Sequence, residues 1–180
     1  MGVSISIQWM PFFLNNDNLP DEGLDLRQYI SQKYGIRAEG MDQMFERMRK
    51  NGEEVGIKFN ASRKIVPTHN CHRIMHWVND VYGYPAGDAL MENMFKSYFE
   101  DGSNVNKKQI ILKCIEPISE IDSKIAEDIL DNKDKYKSDI ESFDQHAKKK
   151  LNVRGVPYFI IERVPPLSPI KFSGAQVLYF

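Results

Sequence analysis

Gly155-Val156-Pro157-Tyr158-Phe159-Ile160-Ile161 is the stretch on which the fold reading turns. A Val-Pro bond runs directly into an apolar segment, and a Pro165-Pro166 turn separates that segment from Ile170 to Phe172. Branched and aromatic side chains suit a pleated, half-buried surface, so Tyr158–Glu162 and Ile170–Phe172 are predicted as two strands. At the other end, Val3, Ile5, Ile7 and Trp9 alternate with Ser4, Ser6 and Gln8. A period of two predicts a strand near a sheet edge, with one buried face, ended by Pro11.

Between these ends the period changes. Asn15 to Gly23 is a loop rich in Asn, Asp and Pro. Leu26, Tyr29 and Ile30 predict a helix stopping at Gly35. Met41, Met44, Phe45 and Met48 share one face of the next. An extended connection, Ile57 to Thr68, leads to a stripe of Cys71, Ile74, Met75, Val78 and Tyr82, with Gly83 as C-cap. Met91, Met94, Phe95, Tyr98 and Phe99 mark a helix ending at Gly102. Ile110, Ile111, Cys114, Ile115 and Ile118 mark another, with Asn106 as its N-cap. Ile121, Ile125 and Ile129 indicate a short helix, and Tyr136, Ile140, Phe143, Ala147 and Leu151 the last. Methionines at helical spacing are read as core filler rather than as a binding groove. A strand, many helices and two further strands describe an α/β sheet carrying a large all-helical insertion.

A chain of 180 residues is one domain, or one domain with an insertion. Its net charge of −1 offers nothing that would steer it to nucleic acid or anionic lipid. The run Lys148-Lys149-Lys150 fits a helix C-terminus, where cations meet the negative end of the dipole. No apolar run approaches the ~20 residues of a membrane span, and no signal peptide is read at the start. Met1-Gly2-Val3-Ser4-Ile5-Ser6 fits the loose myristoylation template, but the same residues are needed for the first strand. Cys71 and Cys114, far apart and on helical stripes, read as reduced, buried thiols of a cytoplasmic protein.

Several segments carry a family resemblance. Pro11-Phe12-Phe13-Leu14-Asn15, Leu19-Pro20-Asp21-Glu22-Gly23 and Tyr29…Lys33-Tyr34-Gly35 resemble the N-terminal stretch of the FrnE-like branch of DsbA-type thioredoxin proteins. Thr68…His72-Arg73-Ile74 resembles its Asn-Thr…Ala-His-Arg-Leu segment, and Phe95…Tyr98-Phe99-Glu100-Asp101-Gly102 its Phe-x-x-Tyr-Phe pattern. Gly155-Val156-Pro157 and Ser173-Gly174-Ala175-Gln176 resemble its cis-proline loop and final strand. The resemblance implies a thioredoxin-like part formed by 1–19 and 152–180, and a helical insertion domain over 20–151. It also implies departures. The family's Cys-Pro-x-Cys turn, the strand before it and a terminal helix have no counterpart here, so the thioredoxin-like sheet is expected to be incomplete and the chain truncated. Pro67 and Cys71 stand where the family has Asn and Ala.

The implied activity is thiol-disulfide exchange, yet no catalytic residue can be carried over, because a thiolate placed at a helix start is the nucleophile. The chain is therefore expected to be redox-inactive. The alternatives are a peptide-binding or interaction module and, more remotely, a relative of the glutathione-dependent isomerases and transferases. Val156, Pro157, His72 and Arg73 are the candidate substrate-binding residues, receiving an extended peptide or thiol substrate by β-type pairing. Cys71, with His69, His72 and Arg73 nearby, is a candidate alternative thiol. His72 and His76 are spaced i, i+4, but lack the third ligand of a zinc signature, so no metal and no cofactor are expected. The missing strand would leave an open sheet edge, from which poor stability as a monomer and strand-mediated homodimerisation are expected.

Overall fold

The computed structural model describes residues 5–14 and 19–174. Leu24–Asp25 (β1) leads into α1, Leu26–Tyr34, and α2, Ala38–Glu54. β2, Lys64–Ile65, pairs antiparallel with β1. Five further helices follow: α3 His69–Tyr82, α4 Tyr84–Phe95, α5 Lys108–Ile115, α6 Ser123–Asp131 and α7 Lys137–Lys149. A π-helical turn, Lys96–Glu100, extends α4. The described chain closes with an antiparallel ribbon, β3 Tyr158–Ile161 and β4 Ile170–Ser173, in the register Tyr158↔Ser173 to Ile161↔Ile170.

The helical stripes read in the sequence become the core. Ile74, Val78, Leu90, Ile111, Ile115 and Ile129 from α3 to α6 are wholly buried against one another. A second, smaller cluster of Leu26, Met41 and Phe45 joins α1 to α2. Local signals set the ends. Asp25 accepts from the Gln28 N–H and Asp122 from those of Lys124 and Ile125, satisfying donors that helix starts leave orphaned. Gly35 closes α1 in the left-handed region at φ 65°, its N–H donating to Ser31 O.

Four expectations are corrected. Residues 5–9 are not a strand: the segment has no ladder partner among the described residues, and Ile5 and Ile7 are 80% and 47% exposed. Side chains hold it instead. The Trp9 indole N–H donates to Asp88 at 2.9 Å, and the Asn79 amide donates to Trp9 O at 3.0 Å. Asn106 does not cap α5, where Lys107 occupies the cap position without a side-chain bond. Asn106 reaches the carboxylate of Asp21 and accepts from Asn70 at its backbone oxygen, tying the loop 19–23 to the bundle. Gly83 ends α3 at φ 83° and ψ 174° rather than in a left-handed cap, because α4 starts on the next residue. On α7 the inward face is Ile140 and Asp144, whereas Phe143 is 37% exposed. The myristoylation template, Val3-Ser4 and Ala175-Gln176 fall wholly or partly outside the described residues.

Candidate functional site

The N-terminal turn of α3 carries His69 and His72, three residues apart and so on one face. The ring of Phe13 lies across both. It stacks on His69 at 4.5 Å between centroids and meets His72 edge-on at 4.8 Å. Phe13 itself is fastened to α7 at both backbone groups. Its N–H donates to Asp144 at 2.8 Å, and its carbonyl accepts from Lys148 at 2.9 Å. Lys148 also bonds Asp144, one helical turn away, and its ammonium sits 5.0 Å from the Phe12 ring centroid. A buried carboxylate is costly unless paired; Asp144 meets that condition with one ammonium and one backbone donor.

This constellation forms one wall of an open cleft of 390 Å³, lined by Phe12, Phe13, Leu14 and Lys148 on one side and Val153 and Arg154 on the other. Val153 is buried and donates to Ala147 O at 3.0 Å, which fixes the second wall to the end of α7. The chain then passes through Gly155 to Val156 and Pro157, joined by a cis peptide bond. Val156 is half exposed, and Pro157 O accepts from the Gly174 N–H at 2.8 Å. The candidate loop thus continues the cleft wall and enters β3, which β4 pairs on one side only among the described residues.

The three successive residues Cys71, His72 and Arg73 point in three directions, as residues on a 3.6-period helix must. Of the three, only His72 touches a residue that lines the cleft, Phe13. Burial, reinforced by neighbouring His69 and opposed by Asp144, pushes its imidazole down to about 4, so it is neutral near pH 7. Arg73 turns into the bundle, 2% exposed. It donates to the carbonyls of Ile129 at 2.9 Å, Asn132 at 2.7 Å and Lys135 at 3.0 Å, and to Asn70 Oδ1 at 2.9 Å. It therefore closes the C-terminal end of α6, where a cation is favoured by the dipole. It does not line the cleft.

Cys71 turns toward the loop before α5, its thiol donating to Val105 O at 3.2 Å. Burial pushes that thiol up to about 12, with Cys114 adding to the effect. A thiol so placed stays protonated at neutral pH, whereas exchange needs the thiolate. Neither His72 nor Arg73 is placed to stabilise one. Cys114 is buried on α5, donates to Asn93 O at 3.7 Å, and is likewise pushed up by burial. His76 packs between Tyr136 and Phe143 at 5.5 and 5.4 Å, away from the Phe13 contact of His72. Among the described residues no three His, Cys, Asp or Glu side chains converge on a metal position.

Residues 3–179 match the model of the DSBA-like thioredoxin domain. The chain belongs to that family. In fold, this DSBA-like chain is similar to a probable DsbA oxidoreductase from Streptomyces coelicolor, with a TM-score of 0.72 at 19% identity. The similarity covers 84% of this chain and 62% of that one, so the chain spans under two thirds of the neighbour's length. No curated protein matches the chain significantly in sequence. The helix-rich α/β architecture is that of a thioredoxin-like DsbA fold with its helices gathered between the two ends of the chain. No helix among the described residues is long and apolar enough to cross a membrane.

Phe12, Phe13, Asp144, Lys148 and Arg154 were not among the site residues expected from sequence. Asp144 did leave a signal. It shares the helical face of Ile140, Ala147 and Leu151, and a carboxylate in an apolar stripe calls for a partner.

Proposed function

We propose that this DSBA-like chain receives an extended polypeptide or thiol substrate along the Phe12–Arg154 cleft and the Val156-Pro157 loop, and does not itself perform dithiol exchange. The observation that carries this reading is the state of its two cysteines. Both are free, both are held off the thiolate form by burial, and neither lines the cleft. What supports the binding half is the apposition of an aromatic wall, two cationic side chains and a strand with one edge unpaired among the described residues. An extended peptide laid against such an edge gains main-chain hydrogen bonds, and the cleft takes its side chains. The reading assigns 1–19 and 152–180 to the thioredoxin-like part and 20–151 to the helical insertion. It places the chain in the FrnE-like branch on its five sequence segments in register, and in a reducing, cytoplasmic setting on its two free thiols.

Insulin reduction by dithiothreitol tests the redox half. The turbidity should develop at the same rate with and without this protein, and an acceleration lost in Cys71→Ser would overturn it. A reduced, cysteine-containing peptide titrated against the labelled protein tests the other half. Amide shifts should centre on Val153–Ile161, and an absence of shifts there would refute peptide binding.

A further inference from the structure

A second cleft lies on α2, and its lining shares no residue with the Phe12–Arg154 cleft. Its volume is 460 Å³, within the range of small-ligand sites. Met44 and Met48 of α2 form one wall, and Val55, Ile57 and Phe59 of the segment after it form the other. Met41, Met75 and Met94 are buried core filler; Met44 and Met48 also pack against the Leu26–Met41–Phe45 cluster but are only half-buried and line this opening.

The cleft is held in shape by the protein's own packing. Gly52 lies at its floor, where an added Cβ would come within 2.6 Å of Ile57 O and 2.8 Å of the Phe59 ring. The backbones can meet so closely only because residue 52 has no side chain. The Ile57 N–H donates to Gly52 O at 2.8 Å, and Phe59 is braced edge-on against Phe99 at 6.0 Å. The two walls are thus fixed relative to each other before any ligand arrives.

The polar part of the lining selects the ligand. It holds one cation, Arg47, one amide, Asn51, and no carboxylate. Three arginines on or beside α2 are engaged. Arg49 is bound by Glu46 and Glu53, Arg27 by Asp42, and Arg63 covers the rings of Tyr98 and Phe99. Arg47 makes no hydrogen bond or ion pair among the described residues. An uncommitted guanidinium beside an apolar slot matches an apolar chain ending in a planar anion, because its donor fork fits a carboxylate with two bonds.

We propose that the α2 cleft is a binding site for small apolar carboxylates of the fatty-acid type, with the acyl chain between Met44, Met48, Val55, Ile57 and Phe59 and the carboxylate on Arg47. The site is independent of the peptide cleft, and either assignment can fail alone.

Titration of the full chain with decanoate, decanol and decylamine, each below its micelle-forming concentration and followed by amide chemical shifts, tests it. Decanoate should shift the amides of residues 47–59 and bind most tightly, decanol more weakly, and decylamine weakest. Arg47→Gln should weaken decanoate about fivefold, the size expected of one exposed ion pair, while changing decanol less than twofold. Val55→Asp, which puts a carboxylate on the exposed rim of the cleft, should weaken decanoate more than decanol, with circular dichroism confirming that the variant is folded. Equal binding of the three probes, an Arg47→Gln effect equal for decanoate and decanol, shifts confined to the Phe12–Arg154 cleft, or no shifts at all would each overturn the assignment.

Discussion

Replacing Arg73 by leucine removes a guanidinium that is 2% exposed and bonded to three backbone carbonyls and one side-chain amide. Two effects oppose each other. Burial lowers the pKa of Arg73, with Asp134 only partly restoring it, so the folded state carries a desolvation cost that leucine would relieve. Against this, the carbonyls of Ile129 and Lys135 lose their donor inside the protein, each at about 1–3 kcal/mol, while Asn132 O keeps the Lys135 N–H at 3.2 Å. Two orphaned acceptors and one weakened one outweigh the relief, and the expected net loss is about 2–4 kcal/mol, a large part of a typical stability of about 5–15 kcal/mol. Arg73→Lys keeps the charge but not the fork, and should lose roughly half as much. Urea unfolding at pH 7, followed by far-ultraviolet circular dichroism, measures both. Hydrogen exchange should localise the damage to the end of α6 and the loop to α7. A loss under about 1 kcal/mol for Arg73→Leu would refute the reasoning. So would an intact fold with impaired peptide binding, which is what a substrate-contacting Arg73 would give.

Three further outcomes follow from the same contacts. Native Cys71 should react with iodoacetamide at pH 8 about three orders of magnitude more slowly than an ordinary thiol, given a pKa near 12; rapid labelling of Cys71 in the folded protein would contradict this. His72 is depressed to about 4 in the folded protein against about 6.5 unfolded, so the unfolded chain binds more protons between those values. Stability should be complete above pH 6.5 and fall by about 3 kcal/mol as pH drops toward 4, a slope that His72→Gln should remove; a folded-state titration of His72 near pH 6.5 would sink the argument. Gly87→Ala, which in an ordinary helix would stabilise by roughly 1 kcal/mol, should here destabilise by about 1–3 kcal/mol, because its Cβ would fall 2.0 Å from Asn79 Oδ1 and displace the amide that holds Trp9; a raised melting temperature would refute it.

The helical part of this fold was legible because its signals are local. Stripes at 3.6 spacing gave α1 to α7, and Gly35 and Gly102 fell where helical segments end. The ribbon β3–β4 was legible from its branched and aromatic residues and the diproline between them. The segment 5–9 was not, because alternation reports only that a strand could form there. Whether it does depends on a neighbour to complete the ladder, and here Trp9, Asp88 and Asn79 take over the anchoring. Of the residues expected from sequence, His72 touches the cleft only through the Phe13 ring, and the Val156-Pro157 loop follows Arg154 without lining it. Phe13, Asp144 and Lys148 meet across 131 and 135 residues of chain, and pattern within one helix cannot report what a remote segment will bring.

The sequence neighbours Cys71, His72 and Arg73 show why a motif read as one unit divides in space. The helix sends the thiol toward Val105, the imidazole toward Phe13 and the guanidinium toward the end of α6. Their environments then fix three different chemical states: a thiol that does not ionise, an imidazole that does not protonate, and a cation held by dipoles rather than by a bonded carboxylate. Two of the three serve the bundle. α3 thus positions the cleft wall by being rigidly fastened through Arg73 on its inner side, while His72 and His69 on its outer side give Phe13 a surface to lie on. The segment carrying Phe13 is fixed again by Asp144 and Lys148 of α7, and α7 carries Val153 through the bond at Ala147. Both walls of the cleft therefore depend on one helix pair, α3 and α7. A change that loosens their packing would open the cleft without touching any residue that lines it.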